Sequence, residues 1–315
     1  MTAPIVDDRV HVRAPGKLNL FFEVGDVQPD GYHDVASAYQ AVSLNEDVWA
    51  RPSDDFTISV TGTVDVSAVP ADDRNLALRA ARLLAKKAGY AGGVHLDVQK
   101  HVPVAGGMGG GSADATAALV ACDTLWGTEL GSTELHRLAA RLGADVPFAI
   151  MGGTAIGTGR GDQLSPALAQ GRFDWIVVTA GEGLSTPEVY AHLDSLRAGG
   201  GAGAPHDIRR TSRTPEVHPG VLQALRAGDP AALAEHVRND LQAAALSLRP
   251  ELRDALELGE QSGALVGMVS GSGPTLAFLA GDPESALELQ VTLSAAGMTA
   301  LHVHGPVAGA RVMRS

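Results

Sequence analysis

Residues 103–118 read PVAGGMGGGSADATAA, and five of the six residues from Gly106 to Gly111 are glycine. Glycine loses more conformational freedom on folding than any other residue, so such a density needs a use. Its flanks narrow that use. Before it, GVHLDVQK (93–100) alternates as a half-buried strand does. After it, helix formers run from about Ser112 to Trp126. A loop between a strand and a helix start turns backbone N–H groups outward, where the helix dipole adds roughly half a positive charge. That arrangement binds phosphate. Ser112 is placed to cap the helix, with its hydroxyl available to a phosphate oxygen or a metal ion. The competing reading is a flexible turn, and glycine at this density directly before a helix argues against it.

Two familiar phosphate loops are excluded. The pattern G-x-x-x-x-G-K-[ST] needs a lysine that this loop lacks, and G-x-G-x-x-G fails because the third glycine position is Ser112. The rest of the chain mixes strands and helices. VHVRAPGKLNLFFEV (10–24) is β-rich and interrupted at Pro15–Gly16, FTISVTG (56–62) alternates, and DDRNLALRAARLLAKKAG (72–89) reads as a helix. A short helix follows at 132–143. WIVVTA (175–180) reads as a buried strand, and Thr186–Pro187 starts a helix. Residues 197–216, with Arg209, Arg210 and Arg213, read as a solvated mobile loop; two or three helices fill 218–262. ALVGMV, SGSGPT, LAFLA, a helix from Asp282–Pro283 to Gly297 and the strand LHVHG close an α+β chain.

Composition limits the partners. The 315 residues suffice for two modest domains, and a net charge of −12 argues against a nucleic-acid partner. Aromatic content is only 4%, so the core is built from Ala, Val and Leu. The single cysteine, Cys122, fits a reducing cytoplasm and reads as packed. MTAPIVDDRV has neither the basic nor the apolar segment of a signal peptide, and no apolar run reaches the roughly 18 residues of a membrane helix. A cytoplasmic protein is expected. His302 and His304 share one face of a strand, but no third ligand for zinc is evident.

PVAGGMGGGSADA resembles the P-x-x-x-G-[LM]-G-x-[GS]-S loop of the GHMP kinases. APGKLNLFFEV (14–24) resembles that family's N-terminal motif and MVSGSGPTLAFL (268–279) its C-terminal glycine loop, in matching order over nearly the whole chain. GKLNL, DGYHDV (30–35), the triple glycine before Ser112 and LGADVPF (142–148) resemble one branch, whose members phosphorylate a hydroxyl of a cytidine-diphosphate-linked polyol for isoprenoid biosynthesis. The resemblance implies an α+β fold: an N-terminal ATP-binding part (1–168) like ribosomal protein S5 domain 2, and a ferredoxin-like C-terminal part (169–315), with the site between them.

It also implies roles. Asp145 takes the acceptor proton, and Lys17 keeps it ionised and offsets charge on the transferred phosphoryl group. Pro103, Val104, Ala105, Gly106, Gly107, Met108, Gly109, Gly110, Gly111, Ser112 and Ala113 form the nucleotide loop, with Asn75 and Leu76 on the adenine side. Asn19, two residues after Lys17 and so on the same strand face, bonds the acceptor. Tyr32 and Tyr190 stack on the cytosine, His33 hydrogen-bonds it and Thr186 lies near; Gly271, Ser272 and Gly273 wall the cleft. ATP is implied, with Mg²⁺ arriving on it and no evident protein ligand set. Many members carry Asn where this chain has Asp114, which is expected to face away from the phosphates or toward a metal ion. Open alternatives are a homoserine or mevalonate type of kinase, or a non-catalytic nucleotide-binding module. A monomer and a homodimer are equally compatible.

Overall fold

Two long strands, β1 (Val10–Val27) and β2 (His33–Ser53), pair antiparallel as the spine of the larger sheet. The computed structural model describes residues 9–179, 181, 183–199 and 214–314. The expected break at Pro15–Gly16 is a register shift inside one continuous strand. Proline lacks the N–H a ladder needs, and a bulge absorbs it without ending the pairing. β4 (Gly93–Lys100) pairs antiparallel with β2, and β3 (Phe56–Gly62) runs parallel to β4 at the edge. β5 (Thr154–Thr158) pairs with β2 and with β6 (Gln163–Pro166). Two short strands return from later in the chain to β1, namely β8 (Arg238–Asn239) and β12 (Arg311–Val312).

One face of this sheet is covered by α1 (Leu76–Ala88) and α2 (Gly110–Trp126), with α3 (Ser132–Ala140) and α4 (Val146–Met151) beside them. α1 buries Ala77, Leu78, Ala81, Leu84 and Ala85, a stripe at helical spacing. It starts at Leu76, later than Asp72, because Asn75 caps it by accepting from the Ala77 N–H. α3 ends at Ala140, short of the expected 143. Cys122 is fully buried on α2, and burial pushes its thiol far above the usual range.

The chain crosses to a second, antiparallel sheet after β6. Its order is β11 (Thr299–Gly305), β7 (Phe173–Thr179), β10 (Leu276–Leu279), β9 (Val266–Val269). α5 (Thr186–Gly199), α8 (Gln242–Leu248), α9 (Glu251–Gln261) and α10 (Pro283–Ala295) contribute to a core with it. Thr186, and not Pro187, is the first residue of α5. With α6 (Pro219–Ala227) and α7 (Pro230–Ala234), the 218–262 stretch holds four helices, since Pro219, Pro230 and Pro250 each mark a new start. Of the loop expected at 197–216, residues 197–199 complete α5, while 200–213, including Arg209, Arg210 and Arg213, lie outside the described residues.

A third core joins the two sheets. Leu18, Leu20 and Phe21 of β1 meet Phe173, Trp175 and Val177 of β7, and the Trp175 Nε1–H donates to Gln40 Oε1 on β2 at 3.3 Å. His302 pairs with Asp174 at 2.7 Å. Among the described residues no three His, Cys, Asp or Glu side chains converge as metal ligands, and no helix is long and apolar enough to cross a membrane.

Candidate active site

The glycine run turns the chain from β4 into α2. Gly107 and Gly109 have φ of 78° and 73°, in the left-handed region. Gly109 occupies the cap position and α2 begins at Gly110, so Ser112 is the third helical residue and not the cap. A Cβ on Gly107 would lie 2.0 Å from the Ser270 carbonyl oxygen, so only glycine lets this loop touch the loop after β9. The Lys17 N–H donates to the Met108 carbonyl at 3.0 Å, tying the loop to β1. The first N–H groups of α2 have no intrahelical acceptor. Gly109, Gly110, Gly111 and Ser112 line a cavity of about 610 Å³ between the two sheets.

At the floor of this cavity Lys17 is only 7% exposed. Its Nζ donates to Asn19 Oδ1 at 2.5 Å and to the Gly107 carbonyl at 2.9 Å, and lies 3.7 Å from Asp145 Oδ2. Asn19 in turn donates to Ser37 Oγ at 2.7 Å. Asp145 stands at the N-terminus of α4, where its side chain caps nothing and is 29% exposed. Its oxygens are therefore available to a hydroxyl donor. Tyr39 and Tyr190 also line the cavity. Burial, then the charge of Asp145, pushes both phenols well above their usual range, so they stay neutral.

On the far wall Thr186 Oγ1 and Ser272 Oγ are 2.9 Å apart, and Gly271 and Ser272 line the cavity. Asn239 Nδ2 donates to the carbonyls of Val269 and Gly271 and so shapes this loop. It was not expected from sequence, because its partners are distant in the chain. Arg160, just after β5, is a second unexpected residue. Lys17 and Arg160 are the cations among the described residues lining the cavity. Arg160 binds Asp30 at 2.6 Å and stacks over the Tyr32 ring at 4.0 Å.

A smaller cavity of about 250 Å³ adjoins the first through Leu76, Ala105 and Gly111. Asn75 and Val104 line it, yet Asn75 spends its side chain on the α1 cap and on the Pro70 carbonyl at 2.7 Å. Asp114 also lines it. Its Oδ2 accepts from Lys100 Nζ at 2.6 Å, and the same ammonium donates to Glu46 Oε1 at 2.5 Å. Asp114 thus pairs with a lysine, while its Oδ1 is buried without a partner among the described residues. Desolvation foremost, and then the Asp114 charge, raises Glu46 to about 7, against the pull of Lys100.

The remaining expected residues divide. Pro103, Ala105, Gly106 and Gly107 line the large cavity. Met108 and Ala113 are fully buried, so their side chains serve the core and only their backbone belongs to the loop. Gly273 lies off the lining and turns the second loop, its N–H donating to the Ser270 carbonyl. Tyr32 is 57% exposed and outside the lining, with Arg160 on its ring. His33 packs its ring against Tyr190 at 5.0 Å.

Residues 75–153 match the family described as GHMP kinases N terminal domain, and residues 221–297 match GHMP kinases C terminal. The chain is 61% identical over 307 residues to a 4-diphosphocytidyl-2-C-methyl-D-erythritol kinase of Leifsonia xyli, covering 97% of this chain and 99% of the relative. It is 59% identical over 312 residues to the protein of that name from Clavibacter michiganensis, covering 99% of each. A crystal structure of 4-(cytidine 5'-diphospho)-2C-methyl-D-erythritol kinase superposes with a TM-score of 0.73 at 30% identity, covering 93% of this chain and 98% of that one. Mevalonate kinase of L. major superposes with a TM-score of 0.74 at 16% identity over 98% of this chain and 100% of its own, a likeness of fold.

Proposed function

The chain belongs to the GHMP kinases, in the branch named 4-diphosphocytidyl-2-C-methyl-D-erythritol kinase, and from that premise we propose how its residues transfer a phosphoryl group from ATP to the 2-hydroxyl of that cytidine compound. The observation that carries the reading is the Lys17–Asp145 pair, 3.7 Å apart at the floor of a cavity whose other wall is a glycine-lined helix start.

Phosphoryl transfer needs positioning and charge neutralisation more than covalent help. The free N–H groups at the start of α2 hold the ATP phosphates, with Leu76 beside the adenine. Asp145 accepts the proton of the attacking hydroxyl. Lys17, held by Asn19 and the Gly107 carbonyl, stabilises the Asp145 carboxylate and the charge that develops on the transferred group. Arg160 supplies the positive charge the acceptor's diphosphate requires. Tyr190 and His33, packed against each other, form one side of the site for its base. Mg²⁺ carried with ATP would offset charge on the terminal phosphates, with the Ser112 hydroxyl as the side chain placed to meet it. The single buried cysteine supports a cytoplasmic setting.

An ADP-release assay across alcohol acceptors tests this. The cytidine compound is expected to turn over, and homoserine and mevalonate are not. Turnover of either, with none of the cytidine compound, would reassign the substrate. Binding of ATP without any ADP release would favour a nucleotide-binding module.

A further inference from the structure

His33, at the start of β2, and Asp194, on α5, are 161 residues apart in sequence, and His33 Nε2 lies 2.9 Å from Asp194 Oδ1. An ionised carboxylate only accepts, so Nε2 carries the hydrogen. In a neutral imidazole this leaves Nδ1 as a bare acceptor. Among the described residues none bonds Nδ1, and this atom is not among those sealed from solvent without a partner. The ring's face rests on Tyr190, tilted by 36°, and Tyr190 lines the large cavity. Asp194 follows Tyr190 by one helical turn on α5, so one helix delivers both the ring contact and the carboxylate.

We propose that Asp194 is a positioning residue that makes the acceptor site select cytosine over uracil, by holding His33 in the tautomer whose Nδ1 accepts. This rests on the reading above, in which the acceptor's base lies against Tyr190 and His33. Cytosine presents an exocyclic amine, a donor, where uracil presents a carbonyl oxygen, an acceptor. A bare Nδ1 pairs with the amine and opposes the oxygen. Without the carboxylate, the imidazole can carry its hydrogen on either nitrogen and adapts to both bases. Discrimination built on a fixed hydrogen-bond partner is then lost.

The test is calorimetric binding of CMP and UMP to the wild type, Asp194→Asn and Asp194→Ala, with ¹⁵N spectra of His33 to read its tautomer. The wild type is expected to favour CMP by about tenfold or more, with hydrogen on Nε2. Both variants are expected to weaken CMP, strengthen UMP and bring the ratio near one. Equal weakening of both nucleotides would mean that Asp194 only supports the structure, and unchanged CMP selectivity in the variants would overturn its role while leaving the base site standing. If the wild type binds neither nucleotide, the base-site reading itself falls, and this proposal with it.

Discussion

Asp145 carries its carboxylate at a helix start without capping it, which is unusual use of a residue type that caps well. A group left free in this way, beside a lysine already committed to two other oxygens, is available for proton transfer. Asp145→Asn is expected to lower kcat by roughly a hundredfold or more. ATP affinity, read by calorimetry, should stay near wild type, because the carboxylate acts on the acceptor. Combining it with Lys17→Met should cost little beyond either single change, since the two act as a unit. Arg160 has a different signature. Its guanidinium is exposed and, among the described residues, touches Asp30 and the Tyr32 ring. Arg160→Ala should raise KM for the cytidine compound by about tenfold or more, as for a lost charge-assisted bond. KM for ATP should not move; equal changes in both would place Arg160 in the fold and not at the diphosphate.

At the scale of the element, the glycine loop separates two demands. Gly107 faces protein: a Cβ there meets the Ser270 backbone at 2.0 Å. Gly111 faces open space, with nothing within 4 Å of its Cβ position, and lines both cavities. Gly107→Ala is therefore expected to lower stability by about 1–3 kcal/mol through forced displacement of the second loop. Gly111→Ala should keep or slightly raise the melting temperature, since alanine suits a helix, yet weaken ATP by filling the space phosphates approach. Thermal melts and calorimetry on the same two variants read both effects. If Gly111→Ala binds ATP like the wild type, the helix start does not hold phosphate.

Across the whole molecule, three elements meet in one buried ionic cluster: Glu46 from β2, Lys100 from β4 and Asp114 from α2. Two carboxylates share one ammonium, and Glu46 is raised from 4.5 to about 7. The native state then holds a proton that the unfolded chain releases near its ordinary carboxylate pKa. Stability from this group is present below about 4.5 and is lost as pH rises through about 7. Asp114→Asn leaves one acid for one base and puts an uncharged amide nitrogen where the charged carboxylate had a buried oxygen without a partner among the described residues. It should stabilise the protein by about 1–3 kcal/mol at pH 8. The gain should shrink toward pH 5. Urea midpoints at the two pH values check this, and a gain independent of pH would locate the effect elsewhere.

The glycine loop, the strand before it and the helix behind it were legible in the sequence because each rests on local physics: alternation, helix propensity, and the φ freedom of adjacent glycines. The approach of Lys17 to Asp145 was expected only through resemblance, since the two are 128 positions apart in the chain and no local pattern encodes their distance. Tertiary packing decided the rest. It turned Asp114 onto Lys100, which lies across the β4–α2 connection from it. It made Pro15–Gly16 a bulge, since β2 supplied a partner on both sides of the proline. It brought Asn239 under the second glycine loop, Arg160 over Tyr32, and Asp194 onto His33. Local elements follow from neighbours in the chain, whereas each of these contacts depends on how the two sheets pack through the shared core of Phe21, Phe173 and Trp175 or on loops that this packing brings together.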